Sequence, residues 1–358
     1  MPATLSDVAR LAGVSEATAS RALNGGRYVA AATRERVEAA VRQLDYLPHR
    51  AARDLSRAQT ATIALLVHHA QYPAHGEGTF SERVLAGVAA ALAEHGYDLL
   101  YLPIGDDAGS RLRSLAAVHE GRTDGAILVG PAFPAEGIAS LAGSDRPLVL
   151  IDNRFPGIDA VLADNRAGTT ELAQHLLEVH GYRRLACLAG PATWPSTAER
   201  VAALRSIARR AGATIQVVHA EETTMRDGSE AVGRLRDPWP DAIVAVNDAM
   251  ALGAMHRLRT VPSRRRPAVV GHDDIAWAQL STPPLTTVRV DEAAMGAAAV
   301  ALLLGRINAK DEESLPVRDV RVPVDLRLRQ SCGCNGHPSW NGRLRGGRPK
   351  RSSVPAGT

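Results

Sequence analysis

Reactive side chains cluster at two places in this 358-residue chain, His272-Asp273-Asp274 and Cys332-x-Cys334. A histidine beside two carboxylates suits acid–base chemistry, but no nucleophile or metal-ligand set accompanies it. Two cysteines one residue apart suit a metal. A closed zinc site takes about four ligands, however, and only His337 lies near them in sequence, so no metal and no cofactor are expected. Cys187 sits in an apolar run and reads as a small buried hydrophobe. The chain lacks a G-x-G-x-x-G turn after a strand, a G-x-x-x-x-G-K-[ST] loop and a G-x-S-x-G elbow. The expectation is a binding protein, not an enzyme.

Charge gives the first hint of what is bound. The formal net charge is +4. Residues 1–60 hold nine arginines against six acids, and residues 335–358 hold five basic residues and no acid. The long middle is therefore mildly acidic. Basic ends point to a polyanionic partner there and to a different ligand for the centre. No apolar run approaches the roughly 20 residues that span a bilayer, and the N-terminus lacks the charged start and apolar stretch of an export signal. A cytoplasmic protein with no membrane partner is expected.

The elements that position these groups change character along the chain. Thr4-Leu5-Ser6-Asp7 is a capping-box pattern, and Val8, Leu11 and Ala12 then fall on one helical face. Gly13 ends that helix. Ser15 can cap a second, with Ala19, Ala22 and Leu23 inward. A third, around 31–44, aligns Val37, Ala40, Val41 and Leu44. Pro48 closes this small unit. Residues 50–57 have helical propensity but are too short to be stable alone. From 61 onward, apolar β-rich runs at 63–67, 99–102, 126–129, 148–151, 185–188, 215–218, 242–246 and 268–270 alternate with helical stretches at 82–95, 167–179, 197–210, 248–259 and 291–305. Such alternation predicts parallel sheets covered on both faces. From 335 the chain is rich in Gly, Arg, Pro and Ser with little to bury, which predicts a basic disordered tail.

The ordered string T-L-S-D-V-A-R-L-A-G-V-S-E-A-T-A-S-R-A-L-N (4–24), continued by T-R-E-R-V-E-A-A-V-R-Q-L-D-Y-L-P (33–48), resembles the helix-turn-helix of the LacI (lac-repressor-like) family of transcriptional regulators. The resemblance implies a repressor that binds double-stranded DNA. Glu16, Ala17 and Arg21 match the positions that read base edges in the major groove. Arg21 suits a guanine edge, Glu16 a cytosine amino group and Ala17 a thymine methyl. Leu5, Ser15, Thr18, Ser20 and Asn24 match positions that hold phosphates, although Ser15 and Thr18 also serve as a helix cap. Ala30 departs from the family, which usually has a capping residue there. Ala52 and Leu55 match the hinge, where paired helices enter the minor groove and a leucine wedge opens a base step. Two wedges require two chains, hence a homodimer on a near-palindromic operator.

V-L-A-D-N-R-A-G (161–168), H-G-Y-R-R-L-A-C-L-A-G-P (180–191), A-V-N-D-A-M-A-L-G-A-M (245–255), V-V-G-H-D-D-I (269–275) and P-P-L-T-T-V (283–288) resemble the same family's periplasmic-binding-protein-like sensor. The implied architecture is multi-domain: an all-α helix-turn-helix headpiece (1–47), a hinge (48–60), and an α/β sensor (61–334) of two parallel-sheet lobes. The N-lobe takes about 61–162 and 290–322, the C-lobe about 163–289 and 323–331, and the tail 335–358 follows. Asp152, Arg200, Asn247 and Asp273 match effector contacts, and Arg and Asp suit hydroxyl-rich, carbohydrate-like ligands through paired hydrogen bonds. An Asp at a strand end, or Asn247 before a helix, also reads as a cap. Thr223 stands where relatives often carry a stacking aromatic. Trp194 and Trp277 are candidates to supply the ring, or are rim or core residues.

Two other readings are weaker. A transporter's solute-binding protein shares the sensor but not the helix-turn-helix, and an α/β enzyme lacks its motifs here. Leu55→Ala is expected to weaken operator binding in electrophoretic mobility shifts while leaving effector affinity unchanged. Unaltered operator affinity would remove the wedge.

Overall fold

The computed structural model describes residues 3–23, 29–46, 60–68, 80–104, 115–131, 133–262, 266–309 and 315–334. Asn24, the hinge residues Ala52 and Leu55, and the basic tail lie outside these.

Three helices open the chain: α1 (Leu5–Ala12), α2 (Glu16–Leu23) and α3 (Ala31–Leu44). The capping box on α1 is formed. The Asp7 amide donates to Thr4 Oγ1 at 3.3 Å, and the Thr4 amide donates to Asp7 Oδ2 at 3.0 Å. Gly13 ends α1 at φ 64°, a left-handed position that glycine occupies without cost. Val8, Ala9 and Ala12 are buried with Ala19, Ala22, Val37 and Ala40. Leu11, expected inward, is 46% exposed. The inward stripe starts at Leu5 and runs 5, 8, 9, 12, which puts position 11 on the opposite arc. Ala30 begins α3 with no side-chain cap.

The sensor holds two six-stranded sheets. The first contains β1 (Thr62–His68), β2 (Asp98–Ile104), β3 (Gly125–Val129), β4 (Leu148–Ile151), β5 (Asp159–Ala163) and β11 (Asp319–Val322), in the order β11-β5-β4-β3-β1-β2, all parallel. The second contains β6 (Arg184–Ala189), β7 (Thr214–His219), β8 (Ala242–Ala245), β9 (Ala268–Asp273), β10 (Thr286–Val290) and β12 (Val324–Arg327), in the order β12-β10-β9-β8-β6-β7. Edge strand β12 runs antiparallel to β10, so this sheet is mixed. Helices α4 (Phe80–Glu94), α5 (Ala135–Ala142) and α11 (Glu292–Asn308) belong with the first sheet. Helices α6 (Asn165–Gln174), α7 (Pro195–Arg210), α8 (Met225–Gly233), α9 (Asp248–Leu258) and α10 (Ala276–Leu280) belong with the second. Central strands such as β3 and β4 are buried along their whole length, as parallel strands covered on both faces require. None of the helices described is long and apolar enough to cross a membrane.

The chain passes between the sheets three times. Asp164 follows β5 and caps α6 by accepting from the Ala167 amide at 3.0 Å. Asp291 follows β10 and caps α11 by accepting from the Ala294 amide at 3.0 Å. Pro323 separates β11 from β12. Carboxylate caps satisfy free amides and complement the helix dipole, so both helical crossings begin at a defined point.

Glycines let helix pairs approach closely in both lobes. A β-carbon at Gly87 on α4 would lie 2.2 Å from the Ala293 carbonyl oxygen of α11, and one at Gly253 on α9 would lie 1.8 Å from the Met225 carbonyl oxygen of α8. Gly305, in the last turns of α11, faces open space. Gly253→Ala should therefore cost about 1–3 kcal/mol through overpacking, whereas Gly305→Ala should stabilise by roughly 0.5–1 kcal/mol. Denaturant unfolding of the two variants checks the opposite signs, and equal effects would contradict the packing argument.

Candidate DNA interface and effector cleft

The face of α2 away from the headpiece core is built from the residues expected to meet DNA. Ser15, Glu16, Ala17 and Arg21 are exposed, and Thr18 and Ser20 are half-buried. Ser15 Oγ accepts from the Thr18 amide at 3.2 Å and lies 2.8 Å from Thr18 Oγ1. Ser15 thus caps the helix with Thr18 Oγ1 beside it, and both stand at its N-terminal end, where free amides favour a phosphate oxygen. Leu5, half-buried, starts α1. With Ala19 and Ala22 inward, the exposed side chains project from one short, anchored helix.

A second cluster forms at the carboxyl ends of the strands, where open α/β sheets bind ligands. Asp152 follows β4, Asn247 follows β8, and Asp273 ends β9. Asp152, Asp273 and Asp274 have φ values of 57°, 113° and 57°. Such backbone is costly for non-glycine residues and concentrates at functional sites. Arg200 comes from α7, whose first turn is set by Pro195.

Arg200 is the hub. Its Nε donates to Asn165 Oδ1 at 2.8 Å, an Nη1 hydrogen reaches the Val246 carbonyl, and Nη2 lies 3.5 Å from Asp273 Oδ1. Three contacts leave part of its five-donor fork for another acceptor. Asp152, from the first sheet, accepts from Ser196 Oγ of α7 at 3.2 Å, so this bond spans the lobes. Two further arginines span them. Arg83 of α4 donates to the carbonyls of Asp273 and Asp274 at 3.0 and 3.1 Å and pairs with buried Glu292. Arg321 of β11 holds Glu199 of α7 at 2.6 and 2.8 Å.

Burial sets the protonation pattern. It raises Asp152 to about 7 despite the opposing field of Arg200 and the Ser196 hydrogen bond. It likewise raises Glu292 to about 8 against Arg83. His272 is driven down to about 4 by burial and by Arg200, so it is neutral, with Nδ1 3.2 Å from Asp273 Oδ1. Asp248 is raised well above the usual carboxylate range by burial, and it accepts from Thr287 Oγ1 at 2.5 Å and the Ile275 amide at 3.0 Å.

Asp152, Arg200 and Asp273 come together. Asn247 serves as the cap of α9, accepting from the Met250 amide at 2.9 Å while its Nδ2 donates to the Thr223 carbonyl at 2.9 Å. Trp194 and Thr223 flank Gly190. A β-carbon there would lie 2.4 Å from Thr223 Cγ2 and 3.8 Å from Trp194 Cε3. The indole therefore stands beside the position that lacks an aromatic. Trp277, on α10, is 49% exposed. Sequence reasoning missed Ser196, Asn165 and Arg83. Asn165 lay inside the quoted D-N-R-A-G string, but nothing local marks Ser196 or Arg83.

A helix-turn-helix headpiece joined to two α/β lobes with a polar cleft defines a class, the DNA-binding regulators that carry a periplasmic-binding-protein-like sensor. Residues 4–49 match the bacterial regulatory proteins of the lacI family, and residues 173–332 match the periplasmic binding protein-like domain. The chain is 34% identical to the HTH-type transcriptional regulator CelR of Thermobifida fusca over 92% of its own length and 98% of that protein. It is 32% identical to the ribose operon repressor of Escherichia coli K12 over 86% of its length and 93% of that protein. Among solved structures it superposes on the lac repressor dimer bound to operator and an anti-inducer, with a TM-score of 0.79, 27% identity, and coverage of 93% of this chain and 99% of that one. A complex of CelR with cellobiose gives a TM-score of 0.66 at 32% identity, covering 92% and 99%. The chain belongs to the lacI family of bacterial regulatory proteins. The relatives named here are regulators of transcription.

The raised carboxyls make stability depend on pH. Asp152 and Glu292 bind protons more tightly folded than unfolded, so their contribution is full below their unfolded values and is lost as pH rises through about 7 and about 8. His272 acts oppositely, and its contribution is lost as pH falls from its ordinary value toward about 4. Between roughly pH 7 and 8, above the ordinary imidazole value of 6.5 at which His175, His180 and His272 would begin to oppose them, the carboxyls dominate, so the melting temperature should rise as pH falls across that window. Asp152→Asn should flatten the rise. Thermal melts of both proteins check this, and an unaltered slope in the variant would contradict the assignment.

Proposed function

We propose that the chain is a repressor that binds a near-palindromic operator as a homodimer and changes its operator affinity when a carbohydrate occupies the cleft between its lobes. One observation carries the reading: Asp152 from one lobe converges with Arg200 and Asp273 from the other. A ligand with adjacent hydroxyls bridges such groups by paired, charge-assisted hydrogen bonds. It thereby biases the lobes toward one relative position, and the spacing of the two hinges follows. Names among the relatives support a sugar as the ligand class, since one controls a ribose operon and another binds cellobiose.

In this account residues 1–47 read DNA, 48–60 form the hinge, 61–334 sense the effector and 335–358 add salt-dependent affinity for the duplex. Glu16, Ala17 and Arg21 contact base edges. Leu5, Ser15, Thr18, Ser20 and Asn24 hold phosphates, and Ala52 and Leu55 engage the minor groove. Ser196 joins Asp152, Arg200 and Asp273 on the sugar. Asn247 offers its second amide hydrogen, Trp194 a ring face and Trp277 an apolar rim. The protein works in the cytoplasm and turns over none of its ligands.

Genomic fragments selected by the purified protein supply an operator, and fluorescence anisotropy then measures its affinity with and without cellobiose or ribose. Arg21→Ala should lose discrimination between operator and random duplex while weak general binding survives. Arg200→Lys should keep operator affinity without sugar but need about tenfold more sugar for the same response, as expected when a charged hydrogen bond is lost. A sugar response identical to the parent's would remove Arg200 from the site.

A further inference from the structure

Away from the cleft, the last described residues come back to helix α6. Among the described residues, four potential ligands gather there: His175, His180, Cys332 and Cys334, with donor atoms all within 4.8 Å of one another. His175 and Cys332 are buried, and His180 and Cys334 are half-buried. We propose that these four residues form a closed, tetrahedral zinc site that fastens the C-terminal end of the sensor to α6.

Three separations, those among His175, His180 and Cys334, fit the metal, and Cys332 Sγ lies within 4.8 Å of the other donors. Zinc–nitrogen bonds of about 2.0–2.1 Å and zinc–sulfur bonds of about 2.3 Å place tetrahedral donors roughly 3.3 Å apart for two nitrogens and roughly 3.5 Å apart for nitrogen and sulfur. Here the two Nε2 atoms are 3.1 Å apart, and Cys334 Sγ lies 3.6 Å from His175 Nε2 and 3.5 Å from His180 Nε2. A hydrogen bond between two imidazoles accounts for one of these distances, but not for the convergence of four donors.

The local backbone is shaped to bring them together. Helix α6 widens into a π turn over His175–Val179. In an α-helix, residues five apart point about 140° from each other, whereas a π turn closes i to i+5 and brings them to one side. His180 follows that turn and stacks on Tyr182 at 5.2 Å between ring centres. Tyr182 Oη donates to the Cys332 carbonyl at 3.0 Å and so holds the cysteine loop against the same element. Gly333 turns the chain between the cysteines at φ 102°, and a β-carbon there would lie 2.8 Å from Tyr182 Oη. Thr286 Oγ1 donates to Cys332 Sγ at 3.2 Å, the outer-shell support a thiolate ligand needs. The thiol proton, directed at the Arg329 carbonyl 3.5 Å away, leaves when metal binds.

Two cysteines and two histidines in a tetrahedron select zinc over hard cations. A full set of four protein ligands makes the site structural. The sequence pattern pointed to His337 as the nearest partner of the C-x-C, but the fold delivers two other histidines from more than 150 residues upstream.

The full chain, reduced, incubated with zinc and passed through gel filtration, should retain about one zinc per chain by elemental analysis. Cobalt in its place should show tetrahedral d–d bands with thiolate charge transfer. His180→Ala and Cys334→Ser change half-buried positions and should each abolish retention while the circular dichroism spectrum is kept. These two carry the test if Cys332→Ser fails to fold. The proposal is overturned if the parent retains no zinc, if both variants retain it as the parent does, or if His337→Ala alone removes it.

Discussion

The Arg200 guanidinium holds together what the second lobe presents to the cleft. It joins the start of α6 through Asn165, the end of β8 through the Val246 carbonyl, and the end of β9 through Asp273. A largely enclosed cation needs acceptors around it, and leaving it unpaired is expensive. Three strand and helix ends are thereby fixed around one charge. Its remaining donors and the nearby carboxyls are then held in place before any ligand arrives, which lowers the ordering cost of binding.

Among the described residues, polar contacts couple the lobes across the cleft. Asp152–Ser196, Arg83 on the carbonyls of Asp273 and Asp274, and Arg321–Glu199 all cross between them. Each lobe has its own apolar core, and these meet where the chain crosses, at Val290 of β10 in the first core and Val324 of β12 against both. Large cores resist deformation, whereas polar links exchange partners, so relative lobe motion is the soft coordinate. Crossings with capped starts at Asp164 and Asp291 confine that motion to short connections. The proposed zinc site lies on the C-lobe side and ties down its last segment, leaving the cleft untouched.

Much of this was legible in the residues. The ordered headpiece string and the alternation of apolar runs with helical stretches defined the fold class. What escaped was context. Leu11 was misplaced because a two-turn helix offers two overlapping stripes, and Leu5 decides between them. Strands β5 and β10 overlap the strings 161–168 and 283–288 that read as motifs, and β11 (D-V-R-V) and β12 (V-D-L-R) interleave charged residues, so no apolar run announced them. The antiparallel edge β12 depends on where a crossing returns the chain, which no local pattern encodes. Arg83 and Ser196 acquire their partners only across the lobes. The histidines beside Cys332 and Cys334 were hidden for the same reason, and additionally by the π turn that aligns them.

Reciprocity offers the most direct test of a cleft that governs DNA affinity. If sugar and operator compete or cooperate through one two-state element, the factor by which sugar changes operator affinity must equal the factor by which operator changes sugar affinity. Isothermal titration of the full chain with cellobiose, with and without saturating operator, paired with operator titrations with and without cellobiose, measures both factors. The account predicts equal factors well away from one, and an operator affinity that ignores every bound sugar would contradict it.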